Sequence, residues 1–253
     1  MVQRENPLEQ VVYKRKEIEP PLTPPIGENE VCRMTKNTNK FNNLQPSNSP
    51  LRGNDGGLFS SLYLAPVEYY SYLFRAKKAI IEIHDNYQKQ SYRNRCIIAG
   101  ANGPLPLSIP IEKPETLKCQ MKDIRIAEHG NWRHLHWNAI VSAYNSTPFF
   151  EYYEDDFRPF YEKKYTFLHD FNEELRQLIF RLIGIGTTVN YSKEYVQDTS
   201  EIADYREIIH PKRTSSFVTK PYYQVFAGKH GFLTNLSVID LLFNMGNESR
   251  LYL

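Results

Sequence analysis

From Leu58 onward, apolar residues recur with the spacings of regular secondary structure. Val67, Tyr70 and Phe74, with Tyr69 and Leu73 beside them, mark one face of a helix. Pro66 suits the first position of that helix, where a missing N–H costs nothing. Ala79–Ile83 has the β-branched content of a buried strand. Arg95–Ala99 and Leu105–Ile111 read as two strands joined through Ala101-Asn102-Gly103-Pro104, since Asn-Gly supplies the positive φ of a tight hairpin turn. Met121–Ala127 alternates Ile124 and Ile126 with charged residues, the pattern of a half-exposed strand.

Trp132, Leu135, His136, Ala139, Ile140, Ala143 and Tyr144 form one helical stripe that must end before Pro148. The acidic and aromatic run Phe149–Phe157 reads as a helix start rather than a cation site, because no Gly-containing calcium loop accompanies Glu154, Asp155 and Asp156. Leu168, Phe171, Leu175, Leu178, Ile179 and Leu182 form a further stripe, closed by Gly184 and Gly186. Thr187–Tyr191 and Tyr222–Phe226 read as strands. Ser237–Met245 reads as a short apolar helix stopped by Gly246, with Ser237 and Asp240 close to a capping box. Strands and helices do not alternate regularly, and no period repeats. The pattern predicts an α+β fold: a single compact mixed domain over residues 58–253, with a β-hairpin and several short strands packed against amphipathic helices.

Composition changes this picture mainly at the N-terminus. Of 18 Tyr, 14 Phe and 2 Trp, only Tyr13 and Phe41 fall within residues 1–57, a segment that also carries seven of the 16 Pro and an Asn-rich run from Asn37 to Asn54. So few apolar side chains cannot offset the entropy of ordering, which predicts a disordered or extended arm ending in Gly53-Asn54-Asp55-Gly56-Gly57. Within it, Glu19–Ile26 favours a polyproline helix and would suit a partner-binding segment. No apolar stretch follows the charged start as a secretory signal requires.

The net charge of +2 argues against a nucleic-acid surface, and a mean hydropathy of −0.55 with no sufficiently long apolar run argues against a membrane span. Cys32, Cys96 and Cys119 show no paired spacing, so neither a metal site nor a disulfide framework is expected, and a cytoplasmic setting fits. Cys96, on a strand, reads as a small buried hydrophobe. No P-loop, dinucleotide fingerprint, nucleophile elbow or HExxH helix is present, and no cofactor is expected.

Candidate chemistry concentrates in three places. The polar segment Glu82–Arg95, between two apolar strands, offers Lys89, Ser91, Tyr92, Arg93, Asn94 and Arg95 for substrate binding, the cations being suited to a phosphate or carboxylate. The near-zero net charge leaves any anionic substrate to be held by a few such residues. Next, His129 precedes the helix that carries His134 and His136. Those two lie about 200° apart around the helix and cannot share a metal, and His136 reads either as a core histidine or as a base. Lastly, Gln224 and Asp240 are polar residues within apolar elements. Gln224 reads as a structural amide or a reader of a substrate amide or hydroxyl, and Asp240 as a helix cap or an acid.

Several of these residues fall within motifs that resemble the bacterial WbqC-like family. Tyr63-Leu-Ala-Pro-Val-Glu-Tyr-Tyr70, Lys89-Gln-Ser-Tyr-Arg-Asn-Arg95, Ala101–Pro110, Trp132-Arg-His-Leu-His136 with Tyr144 and Pro148, and Asn235–Asn244 occur in that order across residues 61–253. The resemblance implies a place in O-antigen or surface-polysaccharide gene clusters and a proposed aminoacyl (glycyl) transfer to a sugar, with no established catalytic residues to carry over. The sequence departs from the family pattern twice. Ala65 precedes Pro66 where a Gln-Pro segment is common, and a paired-acid strand end is reduced to Glu82 with His84 and Asp85.

Two functional expectations follow. In the first, the protein is a transferase acting on a sugar or sugar-nucleotide precursor with an aminoacyl donor. His136 is then the base and His129 its understudy, Asn94 and Arg95 hold the donor phosphate or stabilise an oxyanion, Gln224 binds a hydroxyl or amide, and Asp240 orients a partner. In the second, it is a non-catalytic glycan- or protein-binding accessory factor of envelope assembly, to which a Tyr-rich surface is suited. A hydrolase using Glu82 and Asp85 as paired carboxylates fits less well, because residues three apart on a strand face opposite sides.

Overall fold

Parallel pairing, which leaves no local turn signal in a sequence, organises the centre of the molecule. The computed structural model describes residues 56–114 and 118–253. Strand β1 (Gly56–Ser60) leads through helix α1 (Val67–Arg75) to β2 (Lys78–Glu82), which lies parallel to β1. β5 (Thr188–Tyr191) adds to the far side of β2 and β6 (Ala203–Asp204) to the far side of β1, giving an all-parallel sheet of order β5-β2-β1-β6. The central strands are almost wholly buried and the outer two are short and more exposed, as a parallel sheet covered on its faces requires.

β3 (Arg95–Gly100) and β4 (Gly103–Ser108) form a separate antiparallel hairpin, with Gly103 at φ 107° in the turn. Helices α2 (Trp132–Tyr144), α3 (Phe150–Glu162) and α4 (Leu168–Ile183) follow, then a single turn α5 (Ala227–His230) and α6 (Val238–Met245). One apolar cluster runs through sheet, hairpin and helices, from Phe59 and Ile81 through Ile98 and Phe171 to Phe243. The observed architecture is the expected α+β fold in a single compact domain.

Four local differences have physical causes. β1 begins at Gly56, so Gly56 and Gly57 belong to the sheet rather than to the arm. A Cβ on Gly57 would stand 2.5 Å from the Phe59 ring and 3.1 Å from that of Tyr205, so packing, not flexibility, asks for glycine there. Residues 1–55, with the Pro-rich segment Glu19–Ile26 and Cys32, lie outside the described residues. Met121–Asp123 is a 3-10 turn, and the rest of that half-exposed segment makes only isolated bridges, Ile126 to Ile111 and Arg125 to Phe167. Tyr222–Phe226 forms no strand; the Gln224 side chain instead closes on the Leu233 backbone, and the Tyr222 hydroxyl donates to Asp240. Ser237 sits before α6 as expected, but its hydroxyl donates to the Leu64 carbonyl at 2.7 Å rather than capping the helix.

Candidate active site at the carboxyl edge of the sheet

Ligands of open parallel sheets bind outside the carboxyl ends of the strands. Here those ends deliver Ser60 and Ser61, Glu82 to Asp85, Tyr191 and Ser192, and Asp204 to Arg206. Against them lie Arg93, from the segment before β3, and one side of α4. All ion pairs buried on both sides among the described residues gather at this edge: Arg93–Asp85, Arg176–Glu173 and Arg206–Glu82. Desolvating charges is costly, so such a concentration is weak evidence of stabilisation and better evidence of a site.

The two acids at the β2 end differ in what surrounds them. Glu82, fully buried, accepts from the Ser192 hydroxyl (2.6 Å), the His84 and Val196 amides (both 2.9 Å) and Arg206 Nη1 (3.4 Å). Every lone-pair direction is taken, which makes it the pin of the β5–β6 connection. Asp85 uses only Oδ2, which pairs with Arg93 Nη2 and accepts from Ser60 Oγ at 3.3 Å; Oδ1 has no partner. Burial raises the Asp85 carboxyl above its usual range against the opposing pull of Arg93, which moves it toward the basicity useful for proton transfer.

Arg93 Nη2 also donates to Ser60 Oγ at 3.1 Å, while Arg93 Nε has no partner. Asn172 Nδ2 donates to the Arg93 carbonyl at 2.8 Å and leaves Asn172 Oδ1 unpartnered. Asp85, Arg93 and Asn172 are 6%, 2% and 0% exposed. Orphaned polar atoms at such depth are uncommon, and three of them belong to residues joined through Arg93. Together they leave one donor and two acceptors unsatisfied. Next to them, Glu173 binds Arg176 Nε (2.7 Å), the Ser61 hydroxyl (3.2 Å) and the Tyr191 hydroxyl (3.3 Å).

Of the nominated site residues, the structure brings Arg93 to this edge with Ser91 in its turn. Ser91 Oγ donates to the Gln88 carbonyl at 2.7 Å and accepts weakly from the Arg93 amide, shaping the turn that presents Arg93. Lys89 is exposed beside it, and Tyr92 is buried, its phenol pushed up to about 12 by that burial. Asn94 extends the hairpin ladder through the Ile109 carbonyl (2.8 Å), and Arg95 Nε pairs across the hairpin with Ser108 Oγ (3.0 Å).

His136 lies elsewhere, in the core. Its Nδ1 shares a hydrogen bond with the Tyr63 hydroxyl at 3.0 Å, and Tyr63 in turn bonds Tyr161. Burial lowers its pKa to about 4, and a bond to the Ser108 backbone opposes that only in part. His129 is exposed on the loop before α2. Asp240 accepts from Tyr144 (3.0 Å), Tyr222 (2.7 Å) and Gln224 (2.8 Å), and Gln224 closes its other bonds on the Leu233 backbone. That group is a saturated internal tie, separate from the sheet edge.

Sequence reasoning missed Asn172, Glu173, Arg176 and Arg206. Glu173 and Arg176 are spaced i, i+3, as a solvent-facing pair on a helix would be, and only the unusually broad buried face of α4 shows otherwise. A surface depression of about 320 Å³ between α3, the end of α4 and the C-terminal turn contains neither the nominated residues nor the edge cluster, so the chemistry rather than this concavity locates the site. Among the described residues, no three His, Cys, Asp or Glu side chains group as metal ligands.

Residues 61–219 match the family model described as the WbqC-like protein family, a span that includes α1, the hairpin, α4 and nearly all of the edge cluster. The chain belongs to the WbqC-like protein family. A further similarity is to "Uncharacterized protein Rv1507c" of Mycobacterium tuberculosis, 22% identical over 222 residues, covering 78% of this chain and 96% of that relative. No solved structure matches this WbqC-like chain. No helix among its described residues is long and apolar enough to cross a membrane.

Proposed function

We propose that this WbqC-like protein is a cytoplasmic transferase of surface-glycan biosynthesis, moving an aminoacyl group such as glycyl from an activated ester or thioester to a sugar or sugar-nucleotide. The observation that carries the reading is the set of unpartnered polar atoms on Asp85, Arg93 and Asn172 at the carboxyl edge of a parallel sheet. Acyl transfer needs those elements. Asp85 Oδ1 accepts the proton of the attacking hydroxyl or amine, Arg93 Nε donates to the oxygen that becomes an oxyanion, and Asn172 Oδ1 accepts from a donor group that orients the substrate. The new acyl–oxygen or acyl–nitrogen bond forms as the alcohol or thiol of the donor leaves with its electron pair. In this reading the base is Asp85, not His136.

The accessory-factor reading is supported by the near-complete enclosure of the cluster. Incubation of the full chain with nucleotide sugars and an aminoacyl thioester, followed by mass spectrometry, separates the two. We expect a mass gain of one aminoacyl residue on the sugar with the wild type and at least about a hundredfold slower gain with Asp85→Asn. His136→Gln should turn over at close to the wild-type rate. Ligand-induced thermal shift without any mass gain would establish the accessory role.

A further inference from the structure

Glu207 differs from the other carboxylates of the edge. Its Oε1 lies 3.9 Å from Arg93 Nη2, beyond hydrogen-bonding distance, and its side chain is 53% exposed against 2% for Arg93 and 8% for Asp85. Gln88 Nε2 holds it from the side at 2.5 Å. The His210 ring is close enough to feel both Glu207 and Arg93. One guanidinium therefore faces two carboxylates: an inner one that is buried and hydrogen-bonded, and an outer one that is solvated and loosely held.

The two are not equally free to leave. Separating Asp85 from Arg93 would strand a buried charge, whereas Glu207 is half-exposed, makes no hydrogen bond to Arg93 at 3.9 Å, and returns to water when it leaves. Adding an anion beside both carboxylates would crowd three negative groups round one cation. If a singly charged anion takes the place of Glu207, the local charge count is unchanged, and Arg93 keeps a counter-charge on the side of Nη2.

We propose that Arg93 is an anion seat whose outer position is kept by Glu207 as a resident carboxylate, and that a ligand enters with its phosphate or carboxylate group by displacing Glu207. This deepens the reading of the edge as a ligand site, on which it rests, by assigning an anionic group to the end of the ligand that meets Arg93. Gln88 sets how firmly the resident carboxylate is held.

Isothermal titration of the full chain with inorganic phosphate, and separately with acetate, tests the gate. Glu207→Gln should tighten binding of at least one of them about fivefold, and Gln88→Ala, which keeps the carboxylate but removes its holder, should tighten it by less. Glu194→Gln removes the same charge from the exposed β5–β6 connection and should leave the affinity unchanged. Tightening confined to phosphate or to acetate identifies the group the seat takes. If Glu207→Gln binds both anions no more tightly than wild type, or if Glu194→Gln tightens binding equally, the gate is wrong. Retained turnover that depends on Asp85, alongside unchanged anion affinity, would remove the gate alone. Absent turnover with unchanged affinity would remove both readings.

Discussion

His136 and Asp240 are both buried and titrate in opposite senses. In the folded protein Asp240 is raised from 3.8 to about 6, first by burial, with its three hydrogen-bond donors opposing. A carboxyl whose folded pKa is raised contributes stability that is complete below the unfolded value and lost as pH rises through about 6. His136 is lowered from 6.5 to about 4 by burial, so its contribution is present above the unfolded value and lost as pH falls through about 4. Each shift of a little over two units corresponds to about 3 kcal/mol, and the two nearly cancel between pH 4 and 6.5. Urea midpoints of the wild type, as far as these two groups govern them, should therefore be nearly flat across that window. Asp240→Asn should lose stability steeply on acidification, and His136→Gln should gain it. Parallel curves for all three proteins would contradict this assignment. The same environment argues against His136 as a base: a neutral imidazole bonded to Tyr63 and to the Ser108 backbone has no face left for a substrate.

At the scale of elements, what was legible depended on whether the signal was local. The hairpin was announced by Asn102-Gly103, and the helices by stripes that end at Gly184 and Gly246, both with positive φ in the structure. The parallel sheet was not, because β1 is a five-residue strand opened by two glycines, β6 spans two residues, and partners come from distant parts of the chain. The site followed the same rule: Arg93 stood out in a polar loop, while Asn172, Glu173 and Arg176 were hidden in a helix whose apolar stripe explained it sufficiently.

The two helix-ending glycines should also differ in how they tolerate a side chain. Gly246, at φ 55°, ends α6 where a Cβ would meet the buried Phe149 ring at 2.5 Å, whereas Gly184, at φ 77°, ends α4 facing open space. Gly184→Ala should cost only the left-handed backbone penalty, about 1–2 kcal/mol. Gly246→Ala adds overpacking and should cost about 2–4 kcal/mol in total. Chemical denaturation of both variants under one set of conditions checks the order, and equal losses would show that Phe149 gives way freely.

Among the described residues, the ion pairs buried on both sides are segregated from the aromatic core. The aromatic core joins sheet, hairpin and helices, whereas the deeply buried ion pairs lie together at one end of the parallel sheet. If that end were there for stability, removing a complete pair would be harmful. If it serves a ligand, removal should stabilise the fold and impair function, because desolvation of both charges is relieved. The Glu173–Arg176 pair allows a clean test, since its buried accessory donor is Ser61, on the adjoining end of β1. Ser61→Ala combined with Glu173→Met and Arg176→Leu should leave the protein as stable as wild type or up to about 4 kcal/mol more so, and weaken ligand-induced thermal shift or turnover. Arg176→Leu alone, which strands Glu173 in the interior, should instead cost about 3–5 kcal/mol. Unfolding midpoints and the mass-gain assay, measured side by side, read both quantities. A triple variant that is destabilised but still fully active would place the pair among the supports of the fold, and the site would contract to Asp85, Arg93 and Asn172.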